Sequence, residues 1–188
     1  MTAELISSEI FKKIPIFRGF SAVEWKRLLE IADVRDFAAG EVIVAQGERS
    51  QRLYVLLDGT CDVYHTMAGS NANQSNANQN SEPTTLATLE PLANFGEMSF
   101  FHPAPHSASV RAKTAVKLLI IERSKYESLC QQEASAACKL ALNTVESLAE
   151  RLRRMDEWVD ELVHRGQANQ RIPEWNRLRA TLFDGWKL

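Results

Sequence analysis

Phe95-Gly96-Glu97-Met98-Ser99-Phe100-Phe101-His102-Pro103-Ala104-Pro105-His106-Ser107-Ala108-Ser109-Val110-Arg111-Ala112-Lys113-Thr114-Ala115 is the stretch that decides how this chain is read. Gly96 permits close approach of a ligand to the backbone, because it carries no side chain. Glu97 is an acceptor suited to sugar hydroxyls. Met98–Phe101 can make one helical turn, and N–H groups at such a start favour phosphate oxygens. Ala108–Ala112 then turns to strand texture.

Upstream, Gly40-Glu41-Val42-Ile43-Val44, Leu53–Leu57 and Thr60–His65 are short β-branched and aromatic runs, punctuated by Gly40, Gly47 and Asp58-Gly59. Asp58-Gly59 predicts a hairpin turn. Leu86–Leu89 and Val116–Ile121 extend the series on either side of the decisive stretch. Short strands at close spacing with glycine turns predict an antiparallel barrel or sandwich. Residues 68–85 interrupt it with Ser-Asn-Ala-Asn-Gln in tandem, a low-complexity loop with no large apolar side chain to offset its ordering entropy.

Both flanks read as helical. Ile6, Ile10, Ile14 and Phe17 recur at helical spacing, Pro15 interrupts them, and Ser21-x-x-Glu24 has the spacing of a capping box. Trp25, Leu28, Leu29 and Ala32 are the expected buried stripe of the second helix. On the C-terminal side, Val145, Leu148, Leu152, Met155, Val159 and Leu162 alternate spacings of three and four, the seam of a parallel two-stranded coiled coil. Arg151 and Asp156 take the flanking positions that pair across such a dimer. Gly166 is the expected stop. Pro173 opens an amphipathic tail with Trp175, Leu178, Leu182, Phe183 and Trp186 near one face, suited either to docking on its own dimer or to binding a protein target.

Four features in order and spacing resemble the cyclic nucleotide-binding domain family, in particular its catabolite-activator type. They are Gly40-Glu41-x-Ile43 with Gly47-Glu48, Tyr54-Val55-Leu56-x-x-Gly59, Phe95-Gly96-Glu97, and Val110-Arg111-Ala112-Lys113-Thr114-Ala115. The resemblance covers roughly residues 8–165. It implies a mainly β fold with flanking helices: an antiparallel β-roll or jelly-roll barrel followed by a long C-terminal dimerisation helix. It also implies a ligand site at Phe95, Gly96, Glu97, Met98, Ser99, His106, Ser107, Met155 and Asp156, with Glu97 on the ribose hydroxyl and a cyclic nucleotide as the ligand.

Three departures narrow that expectation. His106 stands where the family's cassette carries an arginine for the cyclic phosphate, and Arg111 is a candidate substitute that strand alternation points elsewhere. Imidazole is shorter than guanidinium and lacks its bidentate geometry, so one charge-assisted bond worth about 1.5–3 kcal/mol is at stake. Met155 and Asp156 fall where activators carry hydroxyl residues that read adenine, which argues against cyclic AMP itself. Finally, only 24 residues follow His164, too few for a winged helix-turn-helix, so DNA binding is not expected.

Composition fits a regulatory rather than a catalytic reading. The net charge of −2 gives no general attraction to nucleic acid or anionic membrane. Cys61, Cys130 and Cys138 are odd in number and lack C-x-x-C spacing, which argues against a disulfide framework or zinc site and for a reducing compartment. No signal peptide or membrane-spanning run is evident, so the expected location is cytoplasmic. His65, His102, His106 and His164 make no metal set, and no G-x-S-x-G, Walker loop or H-E-x-x-H occurs, so no enzyme, cofactor or metal is expected. The expected organisation is a helical segment 1–33, a β-barrel sensor 34–122, helices 123–165 including the dimer helix, and the tail 166–188. The expected function is a stand-alone regulator that senses a small nucleotide and signals as a homodimer through protein contacts. The alternative is a degenerate barrel that binds no nucleotide and serves as a dimeric scaffold.

Overall fold

The computed structural model describes residues 8–66 and 83–167. Two four-stranded antiparallel sheets form the body. The strands are β1 (Ala32–Phe37), β2 (Val42–Val44), β3 (Arg52–Asp58), β4 (Cys61–His65), β5 (Thr84–Leu89), β6 (Asn94–Phe95), β7 (Ser109–Ala112) and β8 (Val116–Glu122). One sheet runs β1-β8-β3-β6 and the other β2-β7-β4-β5. Helices α1 (Ser8–Lys13) and α2 (Ala22–Ile31) precede the strands, α3 (Glu97–Phe101) interrupts them, and α4 (Arg123–Gln132) and α5 (Ala134–Gln167) follow.

The first sheet is buried on both faces, which explains why Leu53–Leu57 and Leu118–Ile121 are continuous apolar runs rather than alternating ones. Tyr54, Leu56, Leu118 and Ile120 face the space between the sheets, where Val44, Cys61, Phe95, Val110 and Ala112 meet them. Leu53, Val55, Leu119 and Ile121 face the helices, packing with Phe11, Ile14, Phe17, Leu28, Phe100, Tyr126, Leu129 and Leu140.

Several boundaries differ from the sequence reading. Asp58-Gly59 is not a hairpin: β3 and β4 belong to different sheets, and the turn carries the chain from one to the other. Gly59 has φ +80°, and a Cβ there would lie 2.3 Å from the Ala115 carbonyl oxygen, so the corner is closed against the strand β7–β8 connection. Ala32 is no helical stripe residue but opens β1, an edge strand whose Asp33, Arg35 and Asp36 disguise it. Ile14 lies beyond α1, ahead of a 3-10 turn at Pro15–Phe17. β5 begins at Thr84, inside the span read as loop, and α5 runs through Gly166. The Asn-rich repeat and the Pro173–Leu188 tail lie outside the described residues.

The capping box forms as read: the Ser21 N–H donates to Glu24 Oε2 at 2.7 Å and the Glu24 N–H donates to Ser21 Oγ at 3.3 Å. The same carboxylate also accepts from Lys139 Nζ at 2.7 Å and from the Ser135 hydroxyl. Lys139 Nζ further donates to the Gly19 carbonyl, and Asn143 Nδ2 to those of Ile16 and Arg18. Ser135, Lys139 and Asn143, one turn apart on α5, thus clasp the N-terminal helices. The Lys139 ammonium first, and then the hydroxyl and backbone donors, hold the Glu24 carboxyl down at about 2.

Candidate functional site

Phe95 ends β6 inside the roll, its ring stacked on Tyr54 at 4.8 Å between centroids. Gly96 follows in the left-handed region at φ +81° and caps α3. A Cβ on Gly96 would lie 2.5 Å from the Arg52 carbonyl oxygen and 3.0 Å from the Tyr54 ring. The glycine is therefore demanded by its seat against β3, and not only by the approach of a ligand. That seat aims the single turn of α3 so that Glu97, Ser99 and Phe100 point inward, while Met98 is exposed.

Glu97 is 4% exposed and accepts from Asn94 Nδ2 at 3.4 Å. Two residues on, Ser99 Oγ lies 3.3 Å from Nδ1 of His106, whose Nε2 lies 3.0 Å from Ser50 Oγ. His106 is 7% exposed. Its backbone is fixed as well: its N–H donates to the Glu48 carbonyl and its carbonyl accepts from the Gly47 N–H, both at 2.9 Å. A neutral imidazole has one donor and one acceptor nitrogen, so a serine hydroxyl on each side satisfies both. Ser50 also borders an open groove of about 460 Å³ lined by Arg49 and by two ion pairs, Arg52 with Glu122 at 3.3 Å and Arg123 with Glu127 at 2.8 Å.

The structure thus gathers Glu97, Ser99 and His106 from the predicted set and adds Asn94 and Ser50. Ser107 is exposed beside them. Arg111 projects away from the roll interior, as alternation on β7 requires. It lies 5.3 Å over the Tyr64 ring and is paired in register with Asp62, a surface-pairing role. Met155 and Asp156 are exposed on α5, past a division of the chain into two compact units at Thr144/Val145. Among the described residues no group of three His, Cys, Asp or Glu side chains could hold a metal ion, and no helix is long and apolar enough to cross a membrane.

A sequence model described as "Cyclic nucleotide-binding domain" matches residues 34–133, which takes in both sheets, the Glu97–His106 cluster and α4. The chain belongs to the cyclic nucleotide-binding domain family. Within it, the chain is 31% identical over 149 residues to the Cyclic AMP receptor protein of Thermus thermophilus, covering 79% of this chain and 62% of that protein. The crystal structure of Thermus thermophilus Catabolite Activator Protein superposes with a TM-score of 0.65 at 30% identity, over 79% of this chain and 63% of that one. A cAMP-dependent protein kinase regulatory subunit of Mycosarcoma maydis is 26% identical over 102 residues, 54% of this chain but 17% of its own length. The chain therefore spans less than two thirds of each of these relatives. It is a regulatory-type cyclic nucleotide-binding-domain protein, with the two-sheet roll and long C-terminal helix of that family.

Proposed function

We propose that this domain senses a small cyclic nucleotide at Glu97 and its neighbours and passes the signal on through α5. The observation that carries this reading is the buried Glu97 with Ser99 two residues on, whose hydroxyl meets the buried His106 ring. Glu97 supplies an acceptor for ribose hydroxyls. Ser99, His106 and Ser50 are donors and acceptors that can exchange their mutual bonds for bonds to phosphate oxygens. Without an arginine the site binds such a ligand about one to two decades more weakly than an arginine-bearing relative. Titration calorimetry with cyclic AMP and cyclic GMP tests this. Heat of binding with the native chain, abolished in Glu97→Gln, is expected. No heat with either nucleotide at millimolar concentration would leave the scaffold reading in its place.

Output through α5 is supported by apolar residues on its surface. Val145 is 61% exposed, Leu152 51% and Met155 46%, all on the three-and-four seam. Such a stripe is the pattern a second copy of the helix covers. The chain is then a homodimer in solution. Leu152→Glu places unpaired charges in the seam on both chains and should halve the mass seen by light scattering, with the β-sheet circular dichroism retained. A native monomer at tens of micromolar would refute the pairing.

A further inference from the structure

The stretch from Phe95 to Ser109 contains no lysine or arginine, so a cation for a ligand's phosphate has to come from another element. The loop between β2 and β3 is strapped to the far end of that stretch. The His106 N–H donates to the Glu48 carbonyl, the Gly47 N–H donates to the His106 carbonyl, and Ser50 Oγ lies 3.0 Å from His106 Nε2. Two residues past Ser50, Arg52 opens β3. Strand alternation sends its side chain to the face of Tyr54, whose ring stacks on Phe95. The Arg52 carbonyl is also the group that leaves Gly96 no room for a Cβ. Arg52 and Ser50 line the same groove of about 460 Å³.

Three guanidinium groups line that groove, and they are held differently. Arg123 is occupied: Nε donates to Glu127 at 2.8 Å, Nη1 donates to the Phe100 carbonyl at 3.3 Å, and the group lies over the Phe100 and Tyr126 rings. Arg49 is exposed on the loop, where no strand pairing fixes its backbone. Arg52 stands on a paired strand, and its ion pair with Glu122 at 3.3 Å joins side chains 41% and 33% exposed. A pair so open to water contributes little and is readily exchanged.

We propose that Arg52 leaves Glu122 to grip the phosphate of a ligand seated at Glu97, Ser99 and His106, an inference that rests on the nucleotide reading of the cassette. Its guanidinium offers the planar fork that the His106 imidazole lacks, and β3 fixes the root of the side chain beside Gly96. Glu122 competes with the ligand for that guanidinium. Arg52 thereby selects ligands that carry a phosphate over the corresponding nucleosides.

The test is titration calorimetry of the full chain with cyclic AMP and cyclic GMP, and with adenosine and guanosine as ligands lacking the phosphate. Arg52→Gln should weaken cyclic nucleotide binding about tenfold or more and leave nucleoside binding unchanged. Arg52→Lys, a point charge in place of a fork, should fall between the two. Glu122→Gln removes the competitor and should tighten binding about two- to threefold. A merely structural ion pair would move both partners' variants in one direction, so weakening in Glu122→Gln as large as in Arg52→Gln would overturn the proposal. So would an equal loss of nucleoside binding, or a loss in Arg49→Gln as large as in Arg52→Gln, the mark of a general field rather than a contact. Cyclic nucleotide binding that survives Arg52→Gln undiminished would remove Arg52 from the site and leave the cassette reading standing. No heat from the native chain with either cyclic nucleotide would overturn both.

Discussion

Among the described residues, two clusters bury a carboxylate, around Glu24 and Glu97, and they are built differently. At the clasp, Glu24 is met by an ammonium at 2.7 Å, a serine hydroxyl and a backbone N–H at 2.7 Å, and its pKa falls to about 2. At the cassette, Asn94 Nδ2 donates to Glu97 at 3.4 Å, and the His106 ring meets the Ser99 and Ser50 hydroxyls at 3.3 and 3.0 Å. Charge-assisted bonds are shorter and about twice as strong as neutral ones. The clasp spends its groups on holding α5 to the N-terminal helices. In the cassette, Ser99, His106 and Ser50 meet through longer side-chain bonds, the kind a ligand can replace at small cost.

The largest effect should come from the clasp. Glu24→Ala removes a helix cap and the Lys139 bond and should cost about 3 kcal/mol, a fall of roughly 6–12 °C in melting temperature. The pH dependence has a definite sign. Glu24's folded pKa of about 2 lies below its ordinary 4.5, so protons favour the unfolded chain. Its contribution is whole above about pH 5, declines on acidification through 4.5 and is gone below about 2. Urea midpoints of the native chain and Glu24→Gln should therefore converge between neutral pH and about pH 3, and a constant gap would break the contrast. Next in size, His106→Arg restores a charge to the cassette and should tighten cyclic nucleotide binding at least about tenfold by calorimetry. Equal affinities would mean that His106 faces no phosphate. The smallest effect belongs to Ser50→Ala, which leaves the imidazole its Ser99 partner and should cost about 0.5–1 kcal/mol in denaturant. A loss as large as that of Glu24→Ala would place the cassette with the clasp as fixed scaffolding.

What the sequence made legible was local. Ser21-x-x-Glu24 specified its own reciprocal bonds, Phe95-Gly96-Glu97 its glycine-capped turn, and the apolar runs of β3 and β8 their burial. What it concealed was the partner at a distance. Glu24 reads as a cap, yet its strongest bond goes to Lys139, more than a hundred residues on. Ser50 belongs to no motif of the sequence, yet its hydroxyl lies 3.0 Å from Nε2 of His106. Asp58-Gly59 announces a reversal, but only long-range pairing determines whether the next strand joins the same sheet. β1 escaped notice because an edge strand tolerates the charges Asp33, Arg35 and Asp36. Val145, Leu152 and Met155, spaced in the sequence as a seam, stand exposed on α5.

The strand order of the first sheet also sets an order of events in time. β8 is the last of the described strands and lies inside its sheet, pairing with β1 from Ala32↔Ile121 to Phe37↔Val116 on one side and with β3 on the other. During synthesis β1 and β3 leave the ribosome first and have no neighbour for the slot between them until residues 116–122 follow. Closure across so many residues is slow, and unpaired edges attract other chains while it waits. Helices α1 and α2, made before any strand, meet the same delay, since Lys139 and Asn143 are translated later still. A nascent chain stalled before β8 thus has every strand of the second sheet and the β3–β6 pair already made but β1 unpaired, and seven further residues fill the gap between β1 and β3.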